Sequence, residues 1–289
     1  MAAARIIKRR PLAARAVLPN AALTAEYHRR LADLIAEMRA DVDRQVLAAY
    51  GGLSLPKATT AADAAPRPKG MTEAEVDKLM EEIDKRVGRI GRAWQTKSGR
   101  RAFDLAEWLV GRVDGYSSRA IREALKAAGF TVKIRNTPQI TAAWNAAVKE
   151  GVALIRTISN EYMGQVGRAV WESASRGRDL HYLKEQLLSV GVRTERKAEL
   201  LAKDQNNKAT AALSRARYED AGVTRAIWMH RSGSKQPRQT HIEMNGKPFD
   251  IAVGLYDKDV GREIQPAELY YCGCAMRPIL PRDRRAGIE

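Results

Sequence analysis

The chain has 289 residues, enough for one large domain or two moderate ones, and its 45% hydrophobic content can supply a core. No apolar run approaches the roughly 18 residues of a spanning helix, and no apolar stretch of secretory type follows the basic N-terminus. Two cysteines argue against a disulfide framework and for a reducing compartment, while 50 Lys and Arg against 34 Asp and Glu (formal net charge +16) predict a polyanion or an acidic protein surface as partner.

Residues 1–22 are basic and alanine-rich, with Arg5, Lys8, Arg9, Arg10 and Arg15 and no acid up to residue 20. Pro11 and Pro19 break helices, so this segment reads as a disordered or partner-ordered arm. An N-terminal helix occupies 23–52: Leu31, Leu34, Ile35, Met38, Val42 and Val46 recur at three- and four-residue steps from about Thr24 to Tyr50, and Gly51-Gly52 ends it. Pro56, Pro66 and Pro68 mark 53–70 as a linker.

A helical body spans 71–222. Thr72 and Glu75 form a capping-box pattern ahead of an apolar stripe, Val76, Leu79, Met80, Ile83, Val87, Ile90 and Trp94. Lys85, Arg86, Arg89, Arg92, Lys97, Arg100 and Arg101 follow with no acid between them. Shorter helices are expected at 104–113 and 118–128, the second stopped by Gly129, then a short extended segment through Phe130, Val132 and Ile134. Thr137-Pro138 starts the next helix, which runs to about Ser175. Gly151, Gly164 and Gly167 inside it mark either a break or close helix contacts. Two further helices, 179–189 and 194–220, are expected on either side of Gly191, with Gly222 closing the last.

The pattern changes to strands in 223–281. Val223, Arg225, Ile227 and Met229 alternate with Thr224, Ala226, Trp228 and His230. Asn245-Gly246 predicts a tight hairpin, and a second strand is expected over Leu269–Met276, bounded by Pro266 and Pro278. The fold class is therefore mostly α with a small α+β C-terminal module: an elongated helical body plus short antiparallel strands. A module of ~55 residues needs docking or a staple. A basic tail, 282–289, carries Arg282, Arg284 and Arg285.

Both cysteines fall in this module. Cys272 and Cys274 on a strand would point their sulfurs to one face. With His230 and His241 they make a candidate Cys₂His₂ zinc staple; the plainer reading is two small buried thiols and a histidine bonded to a turn. A disulfide between the two cysteines fits the bond geometry poorly. His241 with Glu243, or with Arg238 and Lys247, is also a candidate acid–base and phosphate-clamp set for a nuclease, although no carboxylate cluster for magnesium accompanies it. No phosphate loop, His-Glu-x-x-His or Gly-x-Ser-x-Gly motif occurs. The basic clusters are candidate nucleic-acid or partner contacts. The plainer reading of any one of them is a solvated face, and it is their number that favours an electrostatic partner.

From roughly residue 140 onward the chain resembles the phage head-morphogenesis family typified by the F protein of phage Mu, the minor capsid proteins. The resemblance rests on Trp228, a loop ending in Arg238, His241, the turn Met244-Asn245-Gly246-Lys247-Pro248-Phe249, Pro266, Cys272 and Cys274, in that order. Upstream it takes in Asn145, Leu154-Ile155, Gly177 and the helix into Gly222. Ser234 and Gln236 stand where the family usually has an Asp and a second Arg. The resemblance implies a structural, non-enzymatic protein of the virion head, assembled in the host cytoplasm and present in few to several copies. It would associate with portal or major capsid protein and contact double-stranded DNA, with no resident cofactor and no membrane. A sequence-independent DNA-binding protein acting alone is the second reading, and a metal-dependent nuclease or toxin-like enzyme the third.

Overall fold

The computed structural model describes residues 13–51, 72–133, 135–176, 179–231 and 237–280. Among them are five helices, α1 (Ala21–Gly51), α2 (Glu73–Ala127), α3 (Pro138–Ser175), α4 (Leu180–Asp220) and α5 (Gln239–Met244). Five short strands accompany them: β1 (Arg225–Met229), β2 (Pro248–Asp250), β3 (Leu255–Asp257), β4 (Arg262–Ile264) and β5 (Ala275–Ile279). The fold is thus mostly α with a small α+β module at its C-terminal end. The described residues form two compact units: 13–24, 107–148 and 203–280 in one, and 25–106 and 149–202 in the other.

The described residues of the second unit are helical except for Thr72, Arg176 and Asp179. Leu31, Leu34, Ile35, Met38, Val42 and Val46 of α1 are buried, as are Ile83, Ile90 and Trp94 of α2 and Ile155, Ile158, Tyr162, Val166 and Val170 of α3. They include the whole α1 stripe read from the sequence and Ile83, Ile90 and Trp94 of the α2 stripe, in which Val87 is half-buried and Val76, Leu79 and Met80 lie outside the described side chains. Two buried aromatics send their polar tips to α1: Trp94 Nε1 donates to Asp41 Oδ2 at 2.8 Å, and the Tyr162 hydroxyl donates to Asp43 Oδ1 at 2.8 Å. Gly191 does not break α4. A Cβ there would lie 2.2 Å from the Arg39 guanidinium, which pairs with Glu195, so glycine makes room for a half-buried ion pair. The expected pair of helices on either side of Gly191 is one helix for this reason.

The basic stretch of α2 also lies here, and it is partly neutralised within the chain. Lys85 pairs with Glu81 and Arg86 with Glu82, one helical turn earlier, while Lys97 and Arg101 both pair with Glu37 of α1. The acids lie outside the acid-free run of sequence, so helix periodicity and tertiary contact supply what linear reading did not. Arg89, Arg92 and Arg100 are exposed.

In the first unit α2 runs unbroken where two helices were expected. Ser117 and Ser118 bond back to the Asp114 carbonyl at 3.2 and 2.8 Å, and Leu109, Val113 and Ile121 are buried around them, which outweighs the weak helix propensity of Gly115-Tyr116-Ser117-Ser118. Phe130 and Val132 are buried and Thr131 is exposed, as alternation predicts, but the segment pairs with no strand among the described residues. Two bonds of Schellman type (Val223 N to Tyr218 O, Gly222 N to Glu219 O, both 2.9 Å) close α4 and turn the chain into β1, with Gly222 at φ +73.

β1 is the centre of an antiparallel sheet of order β2-β1-β5, and β3 and β4 form a separate hairpin. The sheet edge beyond β5 is met by residue 13: Ala13 bridges Ile279, and Ala14 N donates to Pro278 O at 3.0 Å. Ala14 and Val17 are buried, and Asn20 Oδ1 caps α1 at the Ala22 and Leu23 amides. So 13–22 are part of the fold rather than of a free arm; Arg15 is exposed on it, while Arg5, Lys8, Arg9 and Arg10 lie outside the described residues, as do 53–70, Ile134, Gly177, Ser234, Gln236, Arg282, Arg284 and Arg285.

Pro278 sits inside β5 rather than ending it. A strand residue's N–H and C=O point the same way, and the Pro278 carbonyl points to Ala14, so the missing N–H faces the outer edge and costs β1 no bond. The C-terminal module shares one core with the ends of α2 and α4: Trp228, Phe249, Ile251, Ile264, Cys272 and Met276 pack with Ile121, Leu125, Phe130 and Tyr218. That docking supplies the buried surface that ~55 residues alone would lack.

Candidate metal centre

The centre is assembled from three segments of the first unit: the end of β1, helix α5, and the loop entering β5. Trp228 on β1 is fully buried and meets His241 edge-on (centroids 5.5 Å apart, planes at 79°) and Phe249 similarly (5.9 Å, 65°). His241 lies on the short helix α5. Asn245-Gly246 links α5 to β2. Asn245 has φ −54 and ψ 128, Gly246 has φ +81, and Lys247 N donates to Met244 O at 2.9 Å. That is a type II turn, where only the second central residue needs positive φ, not the type I′ hairpin turn, which needs both. The Asn245 side chain also ties the turn to the end of β1, because its Oδ1 accepts the His230 amide at 2.9 Å.

Cys272 and Cys274 precede β5 instead of lying on a strand, yet both thiols reach the same place. Cys272 Sγ is 3.4 Å and Cys274 Sγ 3.6 Å from His241 Nδ1, and Cys274 Sγ is 3.7 Å from His230 Nδ1. The ligand atoms of His241, Cys272 and Cys274 lie within 4.8 Å of one another, and all three residues are buried. His230 is half-buried at the rim. Both cysteines are free thiols.

The electrostatics of the pair are asymmetric. Hydrogen bonding from Cys274 holds the Cys272 thiol down at about 4, against burial, which raises it, and with help from His241. The same bond, together with burial, pushes Cys274 up. The indole N–H of Trp228 lies against Cys274 and favours its anion, yet the contact is too loose for a full hydrogen bond.

Sequence reasoning missed the residues that hold this group. Asp257, the last residue of β3, is wholly buried with Oδ2 3.3 Å from His241 Nε2 and 3.3 Å from Thr240 Oγ1. Its other oxygen accepts the Asp259 amide at 2.9 Å. The nitrogen–carboxylate approach is close enough for charge but too poorly aligned to satisfy Nε2 as a hydrogen bond. On α4, Asp204 Oδ1 accepts the Tyr271 amide at 2.6 Å and Asn207 Nδ2 donates to the Cys272 carbonyl at 3.3 Å, so the cysteine loop is tied down although Tyr271 has φ +57. Arg238 donates to the Tyr270 carbonyl at 3.2 Å. The Asp-x-x-polar spacing on α4 was a signal in the sequence, but nothing local connects it to cysteines some seventy residues later.

The alternative acid–base set does not converge. His241 is buried with Nδ1 against sulfur, Glu243 on the exposed side of α5 pairs with Lys258 at 3.1 Å, Arg238 serves the backbone, and Lys247 is exposed.

No family model matches the chain, and no solved structure does. It is 27% identical over 264 residues to an uncharacterized protein of Haemophilus influenzae, an alignment that covers 90% of this chain and 54% of the relative. The chain thus spans about half the length of the curated relative it matches.

Proposed function

We propose that this chain is a minor head protein of a tailed phage, a structural component that associates with portal or capsid subunits and contacts packaged DNA during head morphogenesis, packaging or delivery. One observation carries the reading. The residues of the C-terminal resemblance are neighbours in space: Trp228 touches both His241 and Phe249, His241 meets Cys272 and Cys274, and Arg238 and Asn245 fasten the backbone beside them. A chance scatter of common residues has no reason to fold into one packed cluster. The loss of an Asp and an Arg from the loop is compatible with this, since Arg238, the charged residue that remains, holds backbone in place. The burial of His241 weighs against the nuclease reading.

The test is proteomic. Particles and procapsids made by a strain carrying the gene are purified and analysed by mass spectrometry. The chain is expected with portal and capsid subunits at low copy; absence from both kinds of particle refutes the reading. DNA affinity is expected to be sequence-independent and to fall steeply between low and physiological salt, less so after removal of residues 1–12. A flat salt response rules DNA out as a partner.

A further inference from the structure

We propose that His241 Nδ1, Cys272 Sγ, Cys274 Sγ and His230 Nδ1 hold one zinc ion, a structural staple of the C-terminal module, with Asp257 fixing the His241 ring from behind. The first argument is metric. Zinc bonds of about 2.3 Å to sulfur and 2.0–2.1 Å to nitrogen, at tetrahedral angles, place a ligand sulfur and a ligand nitrogen about 3.5 Å apart. The three sulfur–nitrogen distances here are 3.4, 3.6 and 3.7 Å. The side chains of His241, Cys272 and Cys274, whose ligand atoms all lie within 4.8 Å of one another, therefore stand at the spacing of atoms that share a tetrahedral ion, and His230 stands outside that group against Cys274.

The second argument is the histidine's other nitrogen. His241 Nε2 is buried without a completed hydrogen bond, 3.3 Å from a buried carboxylate oxygen. If Nδ1 carried the ring proton, the Nε2 lone pair would face that carboxylate. A metal on Nδ1 places the proton on Nε2 and aims it at Asp257, the carboxylate–histidine–metal arrangement that orients a ligand and raises its basicity. The third argument is architectural. The ligands come from β1, α5 and the loop into β5, and neither strand nor helix here is longer than six residues, so one ion pins three segments that are individually weak. Two thiolates and two imidazoles with no oxygen donor select zinc over magnesium, calcium or manganese, and four protein ligands leave no open position for catalysis. On binding, the thiol protons pass to solvent. To become the fourth ligand His230, which touches Cys274 at 3.7 Å, has to close in from the half-buried rim.

Full-length protein expressed with zinc in the medium is expected to carry one zinc per chain by native mass spectrometry and elemental analysis. Its cobalt-exchanged form is expected to show the absorption of a tetrahedral thiolate site. A chelator lowers the melting temperature and added zinc restores it. Cys272→Ser with Cys274→Ser abolishes uptake; because that variant can lose its fold, Asp257→Asn and His230→Ala provide the readout on folded protein, with zinc affinity about 10–100-fold weaker for the first and at least tenfold weaker for the second. Wild-type protein that takes up no zinc in titration overturns the proposal, as does a Cys272–Cys274 disulfide in protein purified without reductant. Unchanged affinity in both Asp257→Asn and His230→Ala also overturns it. None of these outcomes depends on whether the chain is found in phage heads.

Discussion

Two tryptophans are almost wholly buried, and they are buried differently. Trp94, in the helical unit, places its N–H on Asp41, and nearby Tyr162 does the same with Asp43. Trp228, under the C-terminal sheet, leaves its N–H without a full partner beside Cys274, and the neighbouring His241 leaves Nε2 in the same state. In the helical unit Trp94 and Tyr162 both reach carboxylates, although Arg39 Nε and Ser98 Oγ are buried there without a partner. The module gathers soft, unsatisfied groups around two thiols. A buried polar atom without a partner costs about 1–3 kcal/mol, and the two beside the thiols, Trp228 Nε1 and His241 Nε2, border the place where the zinc is assigned.

Substitution of each tryptophan tests that contrast most strongly. Trp94→Ala and Trp228→Ala are each expected to lose about 3–5 kcal/mol by chemical denaturation, because both rings are core. Phenylalanine separates them. In chelator-treated protein Trp94→Phe is expected to cost about 1 kcal/mol more than Trp228→Phe, since only the first removes a completed hydrogen bond. Equal costs would erase the distinction between the two sites.

The middle-sized test concerns how tightly the helical unit is assembled. Gly→Ala inside a helix ordinarily gains about 1 kcal/mol. At Gly191 the new Cβ would meet the Arg39 guanidinium at 2.2 Å and displace it from Glu195. A loss of about 1–3 kcal/mol is expected, of the size seen for overpacking. A gain in thermal stability for Gly191→Ala would mean that the ion pair relaxes freely.

The contrast also explains what was legible in the sequence. Apolar periodicity marked the buried faces of α1, α2 and α3 because a helix writes its core side into every third or fourth residue. It did not show that α2 and α4 continue through Gly115 and Gly191. Those glycines resemble stops locally and are decided by what packs against them. The Cys and His residues stood out because both types are rare here, and the structure gathers His241, Cys272 and Cys274 and sets His230 against Cys274. Asp257, Asp204 and Asn207 were not legible, because carboxylates and amides are common and their roles depend on contacts across long sequence separations. The β3–β4 hairpin was missed for a related reason: three-residue strands are too short for a period to register.

The smallest expected effect separates two aspartates one alternate position apart on α1. At Asp41 burial pushes the carboxyl up, but hydrogen bonds from Trp94, Arg44 and Gln45 outweigh it and hold the group below its ordinary 3.8. At Asp43 burial is the larger effect and wins over the Tyr162 hydrogen bond and Arg39, so the carboxyl is raised. A lowered folded pKa means stability that is present above the ordinary value and lost as pH falls through the folded one. A raised pKa means stability that is present below the ordinary value and lost as pH rises through the folded one. Asp41→Asn weakens a charge-assisted bond, so it is expected to cost about 1 kcal/mol at neutral pH, and the cost should shrink on acidification below the ordinary carboxylate range. Asp43→Asn is expected to move the other way, gaining on wild type as pH rises through the carboxylate range. Denaturation midpoints for both variants across the acid limb check this. Parallel pH profiles for the two would show that the helical unit does not discriminate between its two aromatic–aspartate bonds.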